Sequence, residues 1–365
     1  MEFHNLHNFY ILGLMSVKLK QDYLNNVSVI IPAYNAAVWL PKSVPRVVKE
    51  LKNARVSNAE IIIVDDGSSD DTAVVARSLK LDYPVRVIEQ SNAGRFLARS
   101  TGVKAAKYEY ILFIDTRIYI GEGGLKFIGS KLDISKDRSV WTSHVCIDRT
   151  HNIYARFWEA LTFIAWRKYF SNPRECSYGI KEFDYYPKGT TCFFVPTKVI
   201  AEANDWFTTQ TKNKKASNDD TLLIRRIAEK TNINISPEFY CTYHARTNLK
   251  QYCKHVYHRG KVFVDGFLRL DGNRFFLPLV GFLIASVAVI AVLILMPTLF
   301  LPALIAAMIL WLLELLIALL FQVPFKDALS LFILSPLFSV IYGAGIWAAT
   351  LEIYVFSKLR IKIKR

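Results

Sequence analysis

Two kinds of hydrophobic pattern divide this chain. Up to about residue 115, short β-branched runs alternate with helical stretches. Val27-Ser28-Val29-Ile30-Ile31, closed by Pro32, reads as a buried strand. A helical stretch follows from about Ala37 to Asn53, and Glu60-Ile61-Ile62-Ile63-Val64 is a second strand, stopped by Asp65-Asp66-Gly67-Ser68-Ser69. Asp70, Asp71 and Thr72 have the chemistry of a helix start. Val85 to Ile88 predicts a third strand, Gly94 to Ala106 a third helix, and Tyr110 to Ile114 a fourth strand ending at Asp115. This alternation predicts an α/β fold with a mostly parallel, Rossmann-like sheet and helices on both faces. In such sheets ligands bind beyond the carboxyl ends of the strands, where Asp65, Asp66 and Asp115 fall.

The second pattern begins at Phe275. No charged residue occurs from there to Leu313. Phe275 to Met296 has the length to cross a hydrocarbon core, roughly 33 Å as a helix. Pro297 to Phe321 is a second such stretch, broken only by Glu314. Ala328 to Ser357 is a third, interrupted by Pro336, Gly343 and Gly345, and a basic tail runs from Lys358 to Arg365. The chain therefore divides into an N-terminal extension (1–26), an α/β domain (27–245), a basic segment (246–274) and a membrane region (275–365) with helices at about 275–296, 298–321 and 329–357. The apolar run Phe9 to Val17 is too short to span and lacks a cleavage pattern, which predicts a start in the cytosol.

Composition sharpens this division. The chain has 365 residues, 52% of them hydrophobic, and a formal charge of +15. The segment 275–365 holds only six Lys/Arg and three Asp/Glu, so the charge sits in the part before it. A purely soluble enzyme, a disordered tail protein and a small disulfide scaffold are excluded. A positive balance beside membrane segments points to anionic headgroups or an anionic substrate, and no nucleic-acid partner is expected. The five cysteines are scattered without CxxC spacing, which fits a reducing compartment. Between Glu238 and Asp265 there are five Lys/Arg and no acid, with Tyr252, Val256, Phe263 and Phe267 among the apolar positions. This predicts a helix lying at the headgroup level just before the first span. Cys253, His255 and His258 lack a fourth ligand nearby and do not make a zinc site.

Four short motifs carry the chemistry: Val27 to Asn35, Ile63 to Thr72, Gln90-Ser91-Asn92-Ala93-Gly94-Arg95 through Ala98-Arg99, and Phe113-Ile114-Asp115. A carboxylate ending a strand can accept from a nucleobase or a ribose hydroxyl, although Asp66-Gly67-Ser68-Ser69 is also plain turn chemistry. In this order and spacing the motifs resemble family 2 glycosyltransferases, inverting enzymes of the GT-A fold that use nucleotide-sugars, over roughly residues 27–245. The resemblance implies that Pro32, Tyr34, Asn35, Asp65 and Asp66 line the donor pocket. It further implies that Gly94 lets the backbone approach the diphosphate. It also implies a divalent cation, Mg2+ or Mn2+, held by Asp115. Where the family has the second carboxylate of Asp-x-Asp this chain has Arg117, in Asp115-Thr116-Arg117. Arg cannot ligate a metal but can pair with phosphate oxygens. An Arg that faces solvent, or a shifted motif, is the alternative.

Asn218-Asp219-Asp220 falls where the family places a pair of acids. The resemblance makes Asp220 the general base on the acceptor hydroxyl, with Asp219 as its neighbour. Capping of the following helix, Thr221 to Lys230, is a second role open to this turn. Gly189 and Thr190 correspond to the acceptor-side strand, and Gln251 to Arg259 correspond loosely to a diphosphate-facing motif of membrane-bound polysaccharide-assembling members, the succinoglycan-type transferases among them. The resemblance thus implies an inverting transferase, multi-pass in the inner (plasma) membrane with a cytoplasmic catalytic domain. It would move sugar from a nucleotide-sugar to a lipid-linked acceptor in surface polysaccharide or glycolipid synthesis. A polyprenyl-phosphate glycosyltransferase and a nucleotide-sugar-binding pseudo-enzyme are the alternatives. The absence of a Gln-x-x-Arg-Trp motif argues against a processive synthase.

Overall fold

The computed structural model describes residues 24–135, 138–210, 219–270 and 272–353. The run Phe9–Val17, Asn218 with the basic loop before it, and the basic tail lie outside the described residues.

The α/β part follows the predicted alternation. Strand β1 (Asn26–Ala33) leads to α1 (Leu40–Asn53), β2 (Asn58–Asp65) to α2 (Thr72–Ser78), β3 (Val85–Glu89) to α3 (Arg95–Ala105), and β4 (Tyr110–Ile114) follows. β1 pairs in parallel with β2 and β4, and β2 in parallel with β3. The register sets Ala33 opposite Asp65 and Asp65 opposite Glu89, so the strand ends form one edge.

Beyond β4 the sheet becomes mixed. The elements are β5 (Ile118–Ile120), α4 (Gly124–Ile134), β6 (Trp141–Ile147), α5 (Ile153–Ala165), α6 (Arg167–Phe170), β7 (Cys176–Tyr178), β8 (Cys192–Pro196), α7 (Thr197–Gln210), α8 (Asp219–Ala228) and β9 (Ile233–Tyr243). The strand order is β3-β2-β1-β4-β8-β6-β9-β5, with β7 on β9. β8 runs antiparallel to β4, which returns the chain to the strand-end edge just before Cys192 meets Ile114.

Alternation along the strands fills two cores. Val29, Ile31, Ile61, Ile63 and Leu112 pack against Leu40, Val44, Val47 and Leu51 of α1. Ile30, Ile111, Phe113 and Phe193 pack on the other face against Phe96 and Val103 of α3 and Phe207 of α7. Both faces of a parallel sheet are thereby covered, which is why the strand sequences read as continuous apolar runs.

The C-terminal region comprises α9 (Leu249–Phe267), α10 (Phe276–Leu295), α11 (Phe300–Leu320) and α12 (Phe325–Leu351). Asn248 caps α9, its Oδ1 accepting from the Gln251 amide at 2.9 Å. Three of these helices, α10, α11 (with the turn from Pro297) and α12, are long and apolar enough to cross a membrane. Pro336, Gly343 and Gly345 were expected to interrupt the third span, yet α12 runs unbroken through all three. The missing Pro336 amide leaves the Phe332 carbonyl without its helical donor. Trp311 Nε1 donates to that carbonyl from α11 at 2.7 Å, Ser335 Oγ on α12 itself donates to it at 3.3 Å, and the Trp311 and Phe332 rings stack at 4.3 Å. A neighbouring helix thus satisfies the group that proline exposes.

Candidate active site

The edge formed by β1, β2 and β3 gathers the predicted donor residues. Asn35 adopts a left-handed φ of 49°. Its Oδ1 accepts from the Ser69 amide at 2.8 Å and its own amide donates to Ser68 Oγ at 2.9 Å. Asp65, buried, accepts from the Ser68 amide at 3.1 Å. The loops after β1 and β2 are therefore laced together, with Pro32 in register opposite Val64 and Tyr34 half exposed beside them. Asp66 does something different. Its carboxylate accepts from Gln90 Nε2 and from the amides of Ala93 and Gly94, each at 2.8 Å. It pins the turn into α3, where Gly94 takes a φ of 96° that a side chain would strain.

At the centre is a residue to which the sequence reading gave no role. Arg99, on the second turn of α3, is almost wholly buried, and its fork holds two carboxylates. Nη2 donates to Asp115 Oδ1 at 2.7 Å and Nη1 to Asp220 Oδ1 at 2.9 Å. Neighbouring hydroxyls complete the arrangement. Thr191 Oγ1 donates to Asp115 Oδ2 at 3.3 Å, and Thr190 Oγ1 donates to Asp220 Oδ1. Gly189, one residue earlier, has its carbonyl 3.4 Å from the Thr142 hydroxyl that donates to it. Burial alone would raise the Asp220 pKa, but Arg99, Arg95, the Thr190 hydroxyl and Arg259 together bring it down to about 2. Asp220 is thus a carboxylate at neutral pH. Asp219 opens α8 beside it.

Cations surround this acid pair on the side of α9. Burial, then Arg95, Arg259 and Arg246, push His258 down to about 4. Arg259 itself is lowered, by burial first and by Arg95, while Asp220 opposes the shift. Arg246 Nη1 donates to the Tyr243 hydroxyl at 2.9 Å. Gln251 sits at the first turn of the same helix, exposed. Of this group Arg95 and Arg246 were not singled out from the sequence. The spacing of Arg95 and Arg99, four apart and so on one helix face, was the available signal.

Arg117 lies over the Trp39 ring, 4.6 Å from its centroid, with Nη1 3.4 Å from the His244 carbonyl. Burial and Arg246 lower its proton affinity, opposed by Tyr243. Arg117 supplies no ligand, and among the described residues no three His, Cys, Asp or Glu side chains cluster as a metal cage. Asp115 alone fits the reduced role in which Mg2+ is bound by one carboxylate while substrate phosphates supply further oxygens.

The first third of the chain is similar to known proteins. Residues 28–116 match the family described as Glycosyl transferase family 2. The uncharacterized glycosyltransferase EpsJ of Bacillus subtilis is 37% identical over 95 residues, 26% of this chain and 26% of its own. The uncharacterized glycosyltransferase YibD of Escherichia coli is 37% identical over 92 residues, 25% and 26% of the two chains. The matched stretch thus spans about a quarter of the length of these relatives. Among solved structures, S. aureus TarS 1-349 in complex with UDP-GlcNAc overlays with a TM-score of 0.46 at 16% identity, covering 67% of this chain and 68% of that one. In the parallel half that ends at Asp115, this chain carries a glycosyl transferase family 2 domain.

Proposed function

We propose that this protein is a membrane-anchored, inverting glycosyltransferase that moves a sugar from a nucleotide-sugar to a membrane-associated, lipid-linked saccharide, in surface polysaccharide or glycolipid synthesis. The observation that carries this reading is the Asp115–Arg99–Asp220 bridge, set at the carboxyl edge of the parallel strands beside a cationic face that leads into apolar helices. Pro32, Tyr34, Asn35, Asp65 and Asp66 form the nucleoside side, Asp66 by holding the loop that carries Gly94. Asp115, with a divalent cation, and Arg117 stand on the diphosphate side. When bound, the cation offsets leaving-group charge. Gly189, Thr190, Gln251 and Arg259 serve the acceptor.

In the reaction, Asp220 takes the proton of the acceptor hydroxyl while that oxygen bonds the anomeric carbon and the bond to the diphosphate breaks. One base opposite the leaving group is enough for inversion, whereas retention would ask for a nucleophile as well. A carboxylate as weakly basic as Asp220 takes the proton late, after bond formation has acidified the hydroxyl. Arg99 and Thr190 hold it in place meanwhile, a positioning role. The cations Arg95 and Arg259 beside Asp220, with Arg246 near His258 on the same side, favour one second reading, transfer directly onto a polyprenyl phosphate. The domain faces the cytoplasm at the inner membrane in either case.

Release of nucleotide from a panel of nucleotide-sugars, with and without membrane lipid extract, tests the proposal. Lipid-dependent release from one donor is expected. Donor binding without release under any condition would leave only a nucleotide-sugar-binding scaffold.

A further inference from the structure

The three long apolar helices are not alike in their surroundings. In the most apolar stretch of α10 and of α11 6% of the residues are buried, against 39% in α12. One face of α12 (Asp327, Ala328, Leu331, Leu334, Ser335, Ile346) is buried. The opposite stripe, Phe325, Leu329, Ile333, Leu337 and Val340, is exposed. What covers the buried face is α5 and α9, which both belong to the charged part of the chain.

The match between α9 and α12 runs along their length and in one direction. Tyr252 and Val256 pack with Ala328, Leu331 and Leu334. At the crossing the backbones touch. A Cβ on Gly260 would lie 2.3 Å from the Tyr342 carbonyl oxygen, and one on Gly345 2.3 Å from that of Tyr257. Val264 and Phe267 then pack with Ile346 and Ala349. Ion pairs close both ends of α12, one end to Arg149 and α5 and the other to α9. Asp327, with no exposed side-chain surface, pairs with Arg149 at 2.5 Å and Arg156 at 2.9 Å. Glu352 pairs with Lys261 at 2.8 Å.

Two helices so joined share one depth in a membrane. α9 carries Lys250, Lys254, Arg259, Lys261 and Asp265, and charges of that kind are costly at a bilayer centre. It cannot cross, so α12 beside it cannot either. A crossing α12 would also separate its two ends across the bilayer, whereas both are tied to the domain and its basic helix. The legs of the apolar hairpin fit this arrangement. α10 packs on α12 through its first half, Leu279 and Leu283 with Ile346 and Ala349, and α11 through its second half, Leu315 and Ala318 with Ala328 and Leu331. The Trp347–Ser286 and Trp311–Phe332 hydrogen bonds mark the mid-leg limit of contact.

We infer that α12 lies in the membrane plane with the stripe Phe325–Leu329–Ile333–Leu337–Val340 set into the lipid at the headgroup–acyl boundary. α10 and α11 are then the two crossing helices, and the C-terminal tail is on the same side as the active site. The inference rests on the membrane anchoring proposed above and not on the transfer chemistry.

Cysteines placed in the full chain at Lys104→Cys on α3, Thr298→Cys between α10 and α11, and Lys364→Cys in the tail test it. Each is labelled with a membrane-impermeant maleimide in intact cells and in inverted vesicles, read as the increment over the parent chain. Lys104→Cys and Lys364→Cys are expected to label in the same preparation and Thr298→Cys in the other. Lys364→Cys labelling together with Thr298→Cys overturns the inference. Were the Lys104→Cys and Lys364→Cys pair to label in intact cells, the cytoplasmic orientation would fail while the inference stands. Spin labels at Leu329→Cys, Ile333→Cys, Leu337→Cys and Val340→Cys give an independent reading of depth. One shallow, nearly constant oxygen accessibility is expected, and a maximum midway along the helix overturns the in-plane placement.

Discussion

The strand-end face and the membrane-facing base of this protein are built on opposite terms. At the strand ends, two of the functional carboxylates end or directly follow a buried strand, so local sequence determines where they lie. Asp65 and Asp115 are fixed by the strands that precede them. At the base, long apolar helices are stabilised by whatever surface they meet, lipid or protein. Apolar length alone describes α10 and α12 in the same terms, yet the first is exposed except along Leu279, Leu283 and Ser286 and the second has a whole face against α5 and α9. The lesson is that hydropathy reports what a helix can enter, while its charged neighbours decide whether it does.

The strongest test of the strand-end side is Asp220→Asn. Transfer should fall about 10²–10⁴-fold, the usual worth of a general base, with donor affinity nearly unchanged. An equal loss of donor binding would make the start of α8 structural instead. Activity that survives the substitution would favour the phosphate acceptor, which needs less help from a base.

Arg117 comes next. It stands where the family has a second metal-binding carboxylate, half-buried, with burial and Arg246 both disfavouring its charge. An anion is what such a place lacks. Transfer should therefore persist in excess chelator, falling several-fold, and Arg117→Ala should cost more, about 2–5 kcal/mol for a desolvated charge pair. Arg117→Asp should make activity metal-dependent. If chelator abolishes transfer and Arg117→Ala is silent, the cation at Asp115 neutralises the diphosphate alone and Arg117 only stacks on Trp39.

Arg99→Lys should have a smaller effect, roughly 10–10²-fold on kcat, because one ammonium cannot reproduce a fork on two carboxylates. Its diagnostic is the pH profile. The Asp220 pKa is lowered in the folded protein, so activity that needs the carboxylate is kept as pH falls until that low value is approached. Weakening the Arg99 contact lets the pKa rise, and the acid limb should move to higher pH. An unmoved limb would mean that Arg99 acts through packing alone.

These residues also mark how far the sequence could be read. The parallel half was legible because continuous apolar strand runs, turn residues and motif spacing all act locally. Arg99 could be seen within its motif but not assigned, since its partners lie 16 and 121 residues away, one after β4 and the other on α8. Arg95 and Arg246 were hidden for the same reason. Asp66 was placed at the donor, and its carboxylate is taken up with holding a loop. The continuity of α12 through Pro336 could not be read because the nearer compensating donor, Trp311, belongs to another helix. In each case what the sequence lacked was a long-range partner.

The smallest expected effect belongs to the base and bears most directly on whether the two regions are separate. Asp327 is fully buried, but its partners Arg149 and Arg156 keep 41% and 28% of their side-chain surface exposed. Removing the acid therefore does not strand buried charges, which would cost about 3–5 kcal/mol. The two guanidiniums can turn to water, and an Asn in place of Asp327 can still accept from one of them. Asp327→Asn should cost only about 1–2 kcal/mol, read as a fall of a few degrees in Tm in detergent. Transfer measured below that temperature should change less than about twofold, because the clamp joins α12 to α5 and touches neither Asp115 nor Asp220. A loss of transfer comparable to that of Arg99→Lys, at unchanged Tm, would break the comparison. It would mean that the seat of α12 against α5 is felt at Asp220, through Arg246, whose carbonyl accepts from the Asn152 cap of α5 at 3.1 Å.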